Sequence, residues 1–191
     1  MKKIFHFDSQ TEVYRADACV VSCFDARFEL VTRKFLRKRG IQWADPLKIA
    51  GGAKVFASPA DEYERSFALG QVRTSIRLHG TNRVMLMVHT DCGAYGGLQA
   101  FGGNEEREAA NHESELCNAT AFLKNNISPI EVECYYLKFT GVCPEWASHQ
   151  RLAARPPAIG RPAFGRHGEA DAETKVLFIP LLPLLSLTLG V

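Results

Sequence analysis

Val84-Met85-Leu86-Met87-Val88-His89-Thr90-Asp91-Cys92-Gly93 is the stretch on which the fold turns. An uninterrupted apolar run of this length suits one strand buried on both faces, and it ends abruptly in a histidine, an acid, a cysteine and a glycine. Val20-Val21-Ser22-Cys23-Phe24-Asp25-Ala26-Arg27 has the same form: an apolar strand whose C-terminal end delivers a thiol, a carboxylate and a guanidinium. In an open parallel sheet the carboxyl ends of neighbouring strands face one crevice, where ligands bind. The two stretches therefore read as adjacent strands sharing a site.

Outward from these, the hydrophobic period alternates between strand and helix. Ala18 to Phe24 is the first central strand. From Phe28 to Arg39, Phe28, Val31, Phe35 and Leu36 share one helical face, Arg33, Lys34, Arg37, Lys38 and Arg39 form a solvated basic one, and Gly40 stops the helix. Asp45 to Gly52 reads as a short strand entering a glycine turn, without the spacing of a phosphate-binding loop. Ser58-Pro59 opens the next helix, with Asp61, Glu62 and Glu64 at its positive end and Tyr63, Phe67, Leu69, Val72 and Ile76 as its apolar stripe, ending at His79-Gly80. A glycine-rich loop follows Gly93, then a helix from Glu105 to Asn125 and a strand from Ile130 to Phe139. This rhythm predicts an α/β fold. A mostly parallel central sheet of about four strands, with room for an antiparallel edge strand, is flanked by helices.

The 191 residues, 46% hydrophobic and 23% charged, supply one sizeable core. Residues 1–142 are read as the domain and 143–191 as an atypical tail. A net charge of +2 is too small to make nucleic acid or an anionic membrane the main partner. Met1 to Asp8 lacks the apolar core of a signal peptide, so a cytoplasmic protein is expected. In a reducing compartment the six cysteines are metal ligands or buried apolar residues rather than a disulfide scaffold. The lead-in, 1–17, holds either a strand at Ile4 to Phe7 or an arm on a partner subunit. In the tail, 151–168 is dominated by Arg, Ala, Pro and Gly. Val176 to Val191 is strongly apolar but interrupted by Pro180 and Pro183 and shorter than the ~20 residues that span a bilayer; it is read as a cover for apolar surface.

Zinc favours thiolate and imidazole, and a catalytic zinc keeps three protein ligands and one position for water. Cys23, His89 and Cys92 supply such a set. The competing reading is a structural zinc, or buried thiols beside an unrelated histidine, but a closed structural site takes a fourth Cys or His and none is offered nearby. Asp25 and Arg27 follow Cys23 at spacings of two and four, so alternation on an extended segment points all three to one side. Asp25 is then either a fourth ligand in a closed state or an acceptor for metal-bound water. Arg27 decides by holding the carboxylate, the bland reading of the pair being an ordinary salt bridge. Asp91 is read as capping the turn. Cys19, Cys117 and Cys134 fall in core patterns, and Cys143 in the tail. His6, His79, His112, His149 and His167 lack a ligand partner, with His112 and Tyr95 standing as candidates to shuttle protons.

Cys-Phe-Asp-Ala-Arg at 23–27 and His-Thr-Asp-Cys-Gly at 89–93 resemble the two signature motifs of the β-class carbonic anhydrases. Ile49-Ala50-Gly51-Gly52 falls where that family usually has Asn-Ala-Gly-Gly, and Tyr135 to Gly141 is similar to its closing strand and turn. The resemblance covers residues 15–142. It implies a zinc enzyme hydrating carbon dioxide reversibly to bicarbonate and a proton, with Cys23, His89 and Cys92 as ligands and Asp25 and Arg27 as the catalytic dyad. It also implies a homodimer or a dimer of dimers with sites near the subunit interface. Zinc lowers the pKa of bound water to roughly 7, giving the hydroxide that attacks carbon, while Asp25 orients it. Three positions depart from the family: Ile49 replaces the Asn, Tyr14 stands where plant-like members carry a Gln, and the tail after Val142 matches nothing in the family. The abrupt change there raises a reading-frame shift in the gene. Two other functions fit the same motifs, a hydrolase of carbon disulfide or carbonyl sulfide and a non-catalytic zinc-binding module.

Overall fold

The structure is a computed structural model that describes residues 4–143. The expected tail, from residue 144 on, lies outside the described residues.

The apolar runs become a five-stranded sheet ordered β2-β1-β3-β4-β5, made of β1 Ala18–Ser22, β2 Ala44–Lys48, β3 Arg83–His89, β4 Glu131–Lys138 and β5 Gly141–Cys143. The first four run parallel and β5 pairs antiparallel with β4, so the expected α/β fold with an antiparallel edge is what forms. Cys143, assigned from sequence to the tail, is the last residue of β5. The chain winds from β1 out to β2 and then returns to place β3 on the other flank of β1. That reversal opens a crevice at the carboxyl ends of β1 and β3. Both strands are buried almost throughout, as their unbroken apolar sequences require.

Helices cover both faces. On one, α2 (Lys54–Ala57), α3 (Glu62–His79) and α4 (Glu105–Asn126) bury Phe56, Ala68, Val72, Leu116, Ala119 and Leu123 against Cys19, Val21, Leu86, Val88, Cys134 and Tyr136. On the other, Val31, Phe35 and Leu36 of α1 (Glu29–Lys38) pack with Phe28 and Ile41 against Val20, Met85, Met87 and Tyr135. The apolar face expected of α1 is thus the one it uses, and its basic residues Arg33, Lys34, Arg37, Lys38 and Arg39 are exposed. Cys19 and Cys134 are buried as expected.

Several expectations are corrected. The helix placed at Ser58-Pro59 begins later, because Asp61 is the residue that caps it, accepting from the Glu64 amide at 2.8 Å. Its buried stripe is Ala68, Leu69, Val72 and Ser75, whereas Tyr63 and Phe67 are 78% and 52% exposed. Leu69 and Val72 are thus buried as expected and Ile76 packs on the core, while Tyr63 and Phe67 in the first turns point outward and Ala68 and Ser75 take inward positions that the large side chains did not mark. Cys117 is exposed, since the neighbouring Leu116 takes the inward position and 100° of helical rotation turns Cys117 out. Ile4 to Phe7 form no strand, and Ile4, Phe5 and Phe7 are exposed.

Among the described residues no helix is long and apolar enough to cross a membrane.

Candidate metal centre

At the crevice the ends of β1 and β3 deliver Cys23, His89 and Cys92 together, with one ligand atom from each lying within 4.8 Å of the others. His89 is the last residue of β3 and 3% exposed, Cys92 is buried in the turn beyond it, and Cys23 is half-buried just past β1. The His89 Nδ1 lies 2.8 Å from the Thr90 carbonyl, which only a protonated nitrogen can satisfy, so the hydrogen is assigned to Nδ1. Nε2 is buried and makes no hydrogen bond of ordinary geometry; its neighbours are the Cys23 sulfur and, 3.9 Å away, Asp25 Oδ2. A buried acceptor left unpaired is costly; a cation between the two sulfurs would satisfy it.

The thiols reinforce this. The hydrogen bond from Cys92 pulls Cys23 down to about 4, helped by His89 and backbone N–H groups, against the opposing pull of burial. Cys92 is pushed up, first by that same bond and then by burial. A metal ion bound between the two sulfurs would be held by them as thiolates. For His89, burial is the largest influence and lowers the pKa, but the contacts with Cys23 and the Thr90 carbonyl outweigh it and leave it raised. The residues present therefore fit a thiophilic divalent ion such as zinc.

The turn that seats the sulfurs is built on glycine. At Gly52 the backbone is left-handed (φ 58°), and a Cβ there would lie 2.1 Å from the Met87 carbonyl and 3.1 Å from the Cys23 amide. Only glycine lets this turn press against the ends of β1 and β3. Ile49, standing in the family's Asn position, packs its side chain on the core.

Asp25 and Arg27 converge, but not by alternation. The strand has ended at Ser22, and residues 26–28 wind into a 3₁₀ turn that Asp25 caps through the Arg27 amide at 2.9 Å. The turn folds Arg27 back so that its Nε reaches Asp25 Oδ1 and Oδ2 at 3.1 and 3.0 Å, and its Nη2 reaches Oδ2 at 2.7 Å. These bonds hold the Asp25 carboxyl down at about 2. Asp25 Oδ2 stands 3.9 Å from His89 Nε2, beside the ligand cluster. The guanidinium also donates to the Asp91 Oδ2 and carbonyl, both at 3.0 Å, and lies 5.3 Å from the centre of the Phe139 ring. Asp91 caps as expected, its Oδ1 accepting from the Leu98 amide at 3.0 Å.

The other candidates go elsewhere. His112 is 0% exposed, ringed by Tyr95, Phe101 and Tyr136, and burial lowers it to about 4. His112 is thus sealed from solvent, whereas Tyr95, the other candidate, is only partly buried and donates its hydroxyl to Glu115 at 3.2 Å. Tyr14 and His79 both bond Asp45 at the amino ends of the strands, away from the cluster. The residue that sequence reading missed is Glu108, wholly buried behind the turn with its carboxylate on Thr90 and Asp91. Beside Glu105 and Glu106 it reads as one more acid suited to a helix N-terminus, and nothing local marks it as inward.

A sequence profile described as "Putative carbonic anhydrase" matches residues 14–145. No curated protein matches the chain. Among solved structures, the chain is similar to a carbonic anhydrase from Glaciozyma antarctica (22% identity, 69% of this chain and 83% of that one, TM-score 0.47). It is also similar to a beta-carbonic anhydrase from Trichomonas vaginalis (15%, 72% and 86%, 0.48). A third is the apo form of a carbon disulfide hydrolase (14%, 83% and 89%, 0.42). At these scores the structural likenesses carry no conclusion of their own.

Proposed function

The chain belongs to the carbonic anhydrase family, and from that membership we propose that it is a zinc lyase of the β class, hydrating carbon dioxide reversibly to bicarbonate and a proton. The observation that carries the reading is the buried His89 Nε2, without a hydrogen bond of its own, gathered with the Cys23 and Cys92 sulfurs within 4.8 Å at the reversal point of a parallel sheet. Zinc held by Cys23, His89 and Cys92 would supply a Lewis acid that brings the pKa of water to about 7.

The chain's own residues do the rest. Arg27 keeps Asp25 ionised and occupies both its oxygens, so the carboxylate serves as a fixed hydrogen-bond acceptor rather than a fourth ligand. From beside His89 it can hold the O–H of the attacking water and aim its lone pair at carbon. A cavity of about 10 Å³ beside Cys23 and His89 is lined also by Ser22, Phe28, Thr32, Met87, Val88 and Leu137, so that apolar side chains and two hydroxyls share its walls. The assembly is proposed as a cytoplasmic homodimer or pair of dimers. Exposed Ile4, Phe5, Phe7 and Val13 in the lead-in, with Phe24 and Phe139 near the site, provide apolar surface for it.

Zinc content and stopped-flow carbon dioxide hydration test this together. Wild type should hold one zinc per chain and turn over, and Cys92→Ser should fall to the background rate. Full zinc with background hydration and turnover of carbon disulfide or carbonyl sulfide would favour the hydrolase; full zinc with neither, a binding module.

A further inference from the structure

Glu108 lies on α4 with no solvent exposure, an expensive place for a carboxyl group unless its oxygens are fully used. They are. One oxygen, Oε2, accepts from the Thr90 hydroxyl at 2.6 Å and the Tyr136 hydroxyl at 3.2 Å; the other, Oε1, accepts from the Asp91 amide at 2.6 Å. His112 Nε2 lies 3.7 Å from Oε1. Thr90 and Asp91 are the whole of the chain between His89 and Cys92, so one buried side chain grips both residues of the ligand turn.

That turn needs a grip. Asp91 has φ 54°, and it is the non-glycine residue with positive φ among those described. Such a conformation persists only where the surroundings over-determine it. From Asp91 the constraint passes on, because its carboxylate and carbonyl both receive Arg27, and Arg27 in turn holds Asp25. A helix side chain remote from the crevice thus reaches the ligand turn directly and the Asp25 carboxylate through two further links.

We propose that Glu108 is a positioning residue for the metal centre, fixing the His89–Cys92 turn at the spacing a divalent ion requires. The inference rests on the reading above that Cys23, His89 and Cys92 hold zinc. Residues behind the ligands of a metal typically change its affinity by about 10–100-fold when replaced. Glu108→Gln keeps the size and offers one carbonyl for the Asp91 amide, but its NH₂ must meet the hydroxyls that the second oxygen served. Thr90→Val removes one arm of the clamp at nearly constant shape.

The test is zinc affinity by competition with a chromophoric chelator, the visible spectrum of the cobalt-loaded protein, and thermal melting with and without zinc. Both variants should bind zinc about tenfold or more weakly and shift the cobalt bands. The melting gap between loaded and zinc-free protein should narrow, because stabilisation by a bound ion follows its dissociation constant. If Glu108 only anchors α4, both melting curves fall together, the gap and the cobalt bands stay as in wild type, and the proposal is overturned. Should Glu108→Gln fail to fold, Thr90→Val decides alone by the same readouts. Wild type that binds no zinc would overturn the metal reading itself, a different result from wild type and variants binding equally well.

Discussion

The two ends of the sheet each gather polar side chains, and they differ in whether those side chains are complete. At the amino ends, Asp45 of β2 receives the Tyr14 hydroxyl at 2.8 Å, the Ser75 hydroxyl at 2.6 Å and His79 Nδ1 at 2.7 Å. Burial alone would raise the Asp45 pKa, but these donors outweigh it and leave the pKa lowered. No polar side-chain atom of the cluster is buried and unpaired. At the carboxyl ends, His89 Nε2 is buried without a hydrogen bond of its own, beside the sulfurs of Cys23 and Cys92. The first cluster closes on itself and ties the segment before β1 to the end of α3. The second leaves a buried ligand atom unsatisfied, and that deficit separates a site from a latch.

The contrast can be broken most easily at Arg27. Arg27→Gln should leave zinc bound but free Asp25 to swing, and displacement of a positioning group by about 1 Å can cost a hundredfold in rate. A loss of about that size in kcat/KM with zinc content unchanged is expected. Loss of the zinc instead would mean that Arg27 supports the ligands rather than the acceptor.

Next in size is the latch. Asp45→Ala strands three donors and should cost roughly 2–3 kcal/mol in urea unfolding, yet the folded variant should keep its zinc and its specific activity. A drop in zinc stoichiometry would show that the ends are coupled and the distinction false.

The smallest effect lies in acid stability. The Asp25 carboxyl sits at about 2 in the folded protein, held there by Arg27, against roughly 3.9 when unfolded. Its contribution is complete above the unfolded value and is lost as the pH falls through about 2. Denaturation followed from pH 6 to 3 should be slightly less steep in Arg27→Gln than in wild type. Identical profiles would place the pair among surface ion pairs that contribute nothing measurable.

How much of this was legible in the sequence depended on range. The strand ends carrying Cys23, His89 and Cys92 could be read because each is a local pattern, an apolar run stopped by ligands, and parallel topology supplies their juxtaposition. The glycine turn was visible, but not α2 directly after it, since Lys54–Ala57 is a single turn held by tertiary contact. Asp25 and Arg27 were paired correctly for the wrong geometric reason: the strand stops earlier than its apolar pattern, and a 3₁₀ turn brings the two together. Tyr63 and Phe67 misled because bulk was taken for burial, when Leu69 and Val72 turn inward together with the small Ala68 and Ser75. Glu108 was hidden among acids that a helix N-terminus explains equally well, and only the position of β3 reveals which of them turns inward.

X-ray absorption at the zinc edge of the purified protein tests the central claim most directly. Two sulfur scatterers at about 2.3 Å and nitrogen or oxygen scatterers at about 2.0–2.1 Å are expected. A spectrum without sulfur, a shell of four sulfurs, or protein that takes up no zinc would contradict it.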